Sequence, residues 1–261
     1  MIINGDVQLN GHVVRLDYAH ARIDNERAFG RTGWYGTIKF CLEMALCIAL
    51  FIPAVPIILL ACLAVKLTSR GPAFYSQTRL GRGGIPYRMY KIRTMTHNCE
   101  LQTGVCWATA NDPRITPVGR FLRRTHLDEL PQLWNVLRGD MSLIGPRPER
   151  PEFVGKLAQA LPRYRERLFV RPGVTGLAQV QLPADTDLDS VRRKLAHDVY
   201  YVEKQSLWLD CRILLSTVLR VLGLPYSLSK NLFSLPGGEP VELAFGDAHV
   251  HAAHLPELKP A

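Results

Sequence analysis

The chain has 261 residues, 47% of them hydrophobic, enough for one large domain or two small ones around a sizeable core. Its formal charge of +9 implies an acidic partner: nucleic acid, an anionic membrane surface or a phosphorylated substrate. The six cysteines, Cys41, Cys47, Cys62, Cys99, Cys106 and Cys211, include no C-x-x-C pair, and three fall in one apolar run. That argues against a zinc site or a disulfide framework and fits free thiols in a reducing cytosol.

Residues 1–38 form a polar, basic N-terminal segment. Residues 40–65, FCLEMALCIALFIPAVPIILLACLAV, then carry a single charge, Glu43. About 20 apolar residues suffice to span a bilayer. The long polar lead, the length of the run and the lack of a small-residue cleavage site exclude a secretory signal. Pro53 and Pro56 lie mid-run, where each removes a backbone donor and favours a kink. Arg22, Arg27, Arg31 and Lys39 precede the run and Lys66 and Arg70 follow it, so the positive-inside rule places both flanks in the cytoplasm. A helix that enters, bends near Pro56 and returns satisfies these features, and so, on the residues alone, does a kinked single span.

Residues 71–95 read as a β-hairpin: Phe74 and Tyr75, then Tyr87, Met89, Tyr90 and Ile92, flank the turn-rich LGRGGIP. Gly81, Gly83 and Gly84 would suit a phosphate cradle, but a plain turn needs no ligand and is the preferred reading. Arg79, Arg82, Arg88, Lys91 and Arg93 make the region strongly basic, most of them for membrane headgroups and one or two for a site. Interleaved Tyr87 and Tyr90 would suit base stacking, yet no helix-turn-helix, RRM or zinc signature accompanies them, which removes nucleic acid as a partner.

Residues 111–114, NDPR, read as a turn, and GRFLRRT leads to a predicted helix start in which Thr125 caps and Asp128 sits three residues later. In structural terms alone, Asp128 and Glu129 would be first-turn carboxylates complementing the helix dipole. Leu133, Trp134 and Leu137 continue with helical spacing, and Gly139 stops the helix. The acidic pair is nonetheless surrounded by Arg120, Arg123, Arg124, Arg138, Arg147 and Arg150, a pattern suited to an anionic substrate with a metal ion. Pro146, Pro148 and Pro151 make Arg147 a fixed cation, and Arg is the side chain suited to bidentate phosphate contacts.

VRPGVTGLAQV, residues 170–180, is a second turn-rich segment. From Leu188 the pattern is helical. After Ser206 it combines Trp208, Ile213, Leu214, Leu215, Val218 and Leu219 with Asp210, Arg212 and Arg220, which predicts an amphipathic helix on the membrane or against the domain. The tail from about Pro236, with His249, His251 and His254, reads as mobile.

In their order, the proline-broken run ending in VKLTSRGP, FYSQTRLGRGGIPYRMYKIRTM, DPRITPVGRFLRRTHLDELPQLWNVLRGDMSLIGPRP and RPGVTGLAQV resemble the bacterial sugar transferases. These are monotopic phosphoglycosyl transferases that load a phosphosugar onto a polyprenyl phosphate. The resemblance implies an α+β, mainly helical protein: a re-entrant membrane helix at 39–67 broken at Pro53 and Pro56, a cytosolic α/β catalytic domain at 68–225 with amphipathic interfacial helices, and a tail at 226–261. Val55 stands before Pro56 where the family often has Ser or Thr, so the geometry of the break is the part of the pattern that departs.

The same resemblance makes Asp128 the nucleophile toward a UDP-sugar, with UMP released, and Glu129 its partner in orientation, proton handling or metal binding. Mg²⁺ would be held by Asp128 and Glu129, and substrate phosphates by Arg123, Arg147, Lys91 and Arg93. The acceptor implied is undecaprenyl phosphate, in the cytoplasmic membrane with the catalytic domain facing the cytoplasm. Membrane lipids and a homodimer are the other expected partners. The stretch YYVEKQSLWLD resembles starters of exopolysaccharide and O-antigen synthesis, which points to a hexose-1-phosphate. The chain looks like the catalytic core without the multi-span region of larger members.

Overall fold

A computed structural model describes residues 6–9, 12–15, 33–99, 112–183, 185, 187–224, 232–238 and 241. Strands β1 (Asp6–Leu9) and β2 (His12–Arg15) pair antiparallel in the segment expected to be merely polar. Asn10-Gly11 between them in sequence is a hairpin signature that could have announced them.

Helix α1 (Trp34–Thr68) has 35 residues, starts five residues ahead of the expected Lys39, and contains both Pro53 and Pro56. At 1.5 Å per residue it is about 52 Å long if straight, against a bilayer core of about 30 Å. It is the one helix among the described residues long and apolar enough to cross a membrane. Cys47, Ala54, Ile58, Ala61 and Val65 are buried, on spacings that return to one face. Leu46, Ile52, Leu59, Leu60, Leu63 and Leu67 remain exposed. One side of α1 thus packs on the rest of the chain, and the outward side is a continuous apolar surface suited to lipid.

β3 (Phe74–Leu80) and β4 (Pro86–Ile92) form the expected antiparallel hairpin, with Tyr75 opposite Lys91. Its tip is a 3-10 turn, Arg82–Gly84. Helix α2 (Pro117–Arg124) is capped by Thr116, whose hydroxyl accepts from Gly119 N–H at 2.9 Å. Thr125, expected to open a helix, instead ends α2, with its hydroxyl donating back to the Phe121 carbonyl at 2.9 Å. The signal that decides this is Pro117, whose fixed φ suits the first helical position. Helix α3 (Gln132–Leu137) follows, and Gly139 at φ 81 ends it.

Strand β5 (Ser142–Ile144) pairs in parallel with β6 (Gly173–Thr175). The two segments touch so closely that a Cβ on Gly173 would lie 2.1 Å from Gly145 N and one on Gly176 would lie 2.2 Å from Gly145 O. Glycine at these points therefore reflects backbone contact rather than flexibility. Helices α4 (Pro151–Ala160), α5 (Leu177–Gln181), α6 (Leu188–Lys204) and α7 (Leu207–Val221) complete a mainly helical fold.

On α7, Leu209, Asp210 and Ile213 are buried while Trp208, Leu215, Val218 and Val221 are exposed. The amphipathic pattern is therefore real, but Asp210 belongs to its inner side. Cys41, Cys47, Cys62 and Cys211 are free thiols. Arg22, Arg27, Arg31, Cys106 and the histidine-bearing tail lie outside the described residues.

Candidate active site

Asp128 and Glu129 lie in a short 3-10 turn, Leu127–Glu129, between α2 and α3. His126 takes a left-handed φ of 57 just before it and turns the chain between α2 and the acidic pair. Neither acid opens a long helix: α3 has six residues, too few for a helix-terminus anion site, and Pro131 rather than Thr125 stands at its start.

The two carboxylates differ in environment. Glu129 Oε1 accepts from Lys91 Nζ at 2.6 Å and from Arg147 Nη2 at 2.7 Å, and Arg147 Nη1 reaches Oε2 at 3.5 Å. Burial would push its carboxyl up, but Arg147 and Lys91 hold it well below the usual carboxylate range. Asp128 is 6% exposed, and no hydrogen bond or ion pair among the described residues engages its carboxylate. Burial raises its pKa, and Glu129 raises it further, against the lowering influence of Lys91, Arg123 and Arg147. One acid is thus locked as an anion, and its neighbour is left with unspent acceptor capacity.

Three segments bring in the cations. Lys91 comes from β4, whose position on α3 is fixed by buried Asn135. Asn135 accepts from Tyr90 N–H at 3.1 Å and donates to the Arg88 carbonyl at 2.7 Å. Arg123 sits in the last turn of α2, with Nε on Thr94 Oγ1 at 2.8 Å. Gly119 makes that approach possible, because a Cβ there would lie 1.9 Å from the Thr94 carbonyl oxygen. Arg147 follows β5, with its own carbonyl held by Arg167 Nη2 at 2.8 Å.

Arg93 is the exception among the expected phosphate ligands. It is buried and donates to the Ser69 carbonyl at 3.0 Å, to Ser69 Oγ at 2.9 Å and to the Arg70 carbonyl. Those groups lie just past the end of α1, so the side chain ties the exit of that helix to the hairpin. Ile92 ends β4, yet Arg93 N–H still donates to the Ala73 carbonyl at 2.8 Å, so the pairing with β3 carries Arg93 to the Ser69 and Arg70 carbonyls.

The sequence reading missed Asn135, Thr94 and Asp210. Asn135 and Asp210 carried a signal, each a polar residue inside an apolar helical run. A cavity of about 880 Å³ is lined by Lys39, Glu43, Arg82, Ser142 and Arg171 but by none of Asp128, Glu129, Lys91, Arg123 or Arg147. The clustered titratable groups around Asp128 and Glu129 therefore lie apart from this cavity.

The family model for bacterial sugar transferases matches residues 34–223, from the start of α1 through the end of α7. The chain belongs to the bacterial sugar transferase family. Among curated sugar transferases it is 48% identical over 176 residues to a UDP-glucose:undecaprenyl-phosphate glucose-1-phosphate transferase of Caulobacter vibrioides, covering 67% of this chain and 64% of that protein. It is 45% identical over 167 residues to a UDP-N-acetylgalactosamine-undecaprenyl-phosphate N-acetylgalactosaminephosphotransferase of Aeromonas hydrophila, covering 64% of this chain and 39% of that protein. It is 43% identical over 176 residues to the exopolysaccharide production protein PSS of Rhizobium leguminosarum, covering 64% and 86%. The chain thus spans less than two thirds of the length of the first two relatives.

Proposed function

We propose that this chain transfers a sugar-1-phosphate from a UDP-sugar to undecaprenyl phosphate and releases UMP, as the first step in building an exopolysaccharide-type glycan. The observation that carries the proposal is the division of labour between the two acids: Glu129 is tied to Lys91 and Arg147, while the Asp128 carboxylate is buried and unengaged. A carboxylate kept only as a helix-start charge would be expected to accept from backbone amides, and that of Asp128 does not.

In the first step an Asp128 oxygen attacks the sugar-linked phosphorus of the donor. The Asp128 O–P bond forms, the bond between that phosphorus and the bridging oxygen breaks, and the electron pair leaves with UMP. In the second step a phosphate oxygen of undecaprenyl phosphate attacks the same phosphorus and displaces Asp128, giving the diphosphate-linked sugar. A carboxylate nucleophile meets repulsion from phosphoryl oxygens, so fixed cations must offset the charge. Arg147 and Lys91, bonded to the adjacent Glu129, and Arg123 on Thr94 are the cations that would supply that charge.

The residues present also fit Mg²⁺, a hard cation held by one or two carboxylates together with substrate phosphates. Asp128 and the less occupied Oε2 of Glu129 would hold it, and when bound it supplies positive charge across the diphosphate.

The apolar outer side of α1 and the exposed Trp208, Leu215 and Val218 of α7 support a cytoplasmic-membrane location with the site at headgroup depth, where a polyprenyl phosphate presents its reacting group. We read α1 as the re-entrant element, with Pro53 and Pro56 at its break, and a homodimer as its state. The test is UMP release by the full chain in lipid, with undecaprenyl phosphate, Mg²⁺ and a panel of UDP-sugars. Acceptor-dependent multiple turnover with at least one donor, lost on chelation, is expected. Folded protein that releases none with any donor would overturn the proposal.

A further inference from the structure

The lone charge of the apolar run, Glu43, has a place that neither lipid anchoring nor the acidic pair explains. A carboxylate in such a run is costly unless it is partnered. Its neighbour one turn back, Lys39, donates to Glu43 Oε1 at 2.7 Å and to Asp210 Oδ2 at 2.9 Å. Asp210 alone would neutralise that lysine, and it also accepts from Tyr35 and Tyr201 hydroxyls at 2.9 and 2.7 Å. Glu43 is therefore a second acid on one cation. What it adds is its grip on β5: its Oε2 accepts from Ser142 Oγ at 2.6 Å, and its Oε1 accepts from Ile144 N–H at 3.2 Å.

From Ile144 the chain reaches Arg147 with no slack. Gly145 N–H donates to the Thr175 carbonyl at 2.9 Å, and the Pro146 carbonyl accepts from Gly173 N–H at 2.9 Å. Pro146 and Pro148 fix the backbone on either side of Arg147, and Arg79 Nη1 holds the Pro148 carbonyl at 3.1 Å. A shift of β5 is thus passed on to the guanidinium that sits on Glu129.

We propose that Glu43 is a positioning residue: through Ser142 and Ile144 the membrane helix sets the strand that delivers Arg147 to the donor's diphosphate. The helix is then part of the active-site scaffold as well as an anchor, and its seating in lipid is felt at the phosphate site. The inference rests on the UDP-sugar reading of that site.

The test uses UDP, which carries the diphosphate common to every candidate donor, and measures its affinity for the full chain in lipid nanodiscs. Glu43→Leu is expected to weaken UDP binding about 10-fold and Ser142→Ala, which leaves α1 untouched, about 3-fold, within the range that misplacing a fixed contact can cost. In an Arg147→Ala background, adding Glu43→Leu should weaken binding by less than about 2-fold more, because residues that act through one another are not additive. A role confined to stability would instead give independent, multiplying losses. Unchanged affinity in both single variants, or losses that multiply in the double variant, overturns the inference. Wild-type protein that neither binds UDP nor releases UMP overturns the functional reading and this inference with it.

Discussion

Replacing Lys91 with Met removes one of the two cations on Glu129 while keeping the length and apolar stem of the side chain. Charges 2.6 Å apart attract by about 6 kcal/mol at an effective dielectric near 20, but desolvation of the buried ammonium offsets most of this. Arg147 remains on Glu129 at 2.7 Å, so the carboxylate is not orphaned. The expected net loss is that of one hydrogen bond to a charged group, about 2 kcal/mol. The more diagnostic effect falls on Asp128, whose pKa burial raises and Lys91 lowers. Without the ammonium that pKa climbs further, and each unit corresponds to about 1.4 kcal/mol. Attack requires the ionised carboxylate, so the acid limb of kcat/KM for the donor should move to higher pH in Lys91→Met. The assay is UMP release at subsaturating donor across pH, with a thermal melt to confirm folding. An acid limb that stays in place or moves to lower pH would refute the assignment of Asp128 as the group that must ionise.

Arg93→Ala should lower the thermal midpoint by the equivalent of about 2 kcal/mol, because the Ser69 and Arg70 carbonyls just past α1 lose a charged donor, while the donor KM changes little. A rise in KM as large as that of Arg147→Ala would put Arg93 back among the phosphate ligands. Asp210→Ala should destabilise by about 3 kcal/mol in a chemical melt, since Lys39, Tyr35 and Tyr201 lose their shared acceptor. The acidic pair should also show opposite pH signatures. The raised pKa of Asp128 means that its stabilising contribution is present below the unfolded carboxylate value and lost as pH rises through the folded one. The depressed pKa of Glu129 gives a contribution present above the unfolded value and lost as pH falls through the folded one. Near neutral pH, thermal melts should therefore find Asp128→Asn more stable than wild type and Glu129→Gln less stable.

The hairpin, the apolar helix and the helix stop at Gly139 were legible in the sequence because each rests on local chemistry: alternation, a sustained apolar run and a left-handed glycine. The clustering of Lys91, Arg123 and Arg147 around the acids could be guessed from charge and from the family motifs, but the unequal treatment of the two carboxylates could not. That inequality depends on which oxygen each cation reaches, a tertiary matter. Arg93 illustrates the limit, since nothing in the local sequence marks the Ser69 and Arg70 carbonyls, 24 and 23 residues earlier, as its partners. The inner placement of Asp210 depends in turn on Lys39, 171 residues away in sequence. Periodicity in α7 shows an amphipathic helix, but not that one of its charges faces inward.

Single-turnover reaction of the full chain in lipid with a turnover-competent UDP-sugar and no acceptor, followed by mass analysis of the active-site peptide, tests the central claim most directly. The account predicts UMP release matched by a phosphosugar on Asp128, discharged when undecaprenyl phosphate is added and absent from Asp128→Asn. Turnover that persists in Asp128→Asn, or UMP release with no adduct on Asp128, would contradict it.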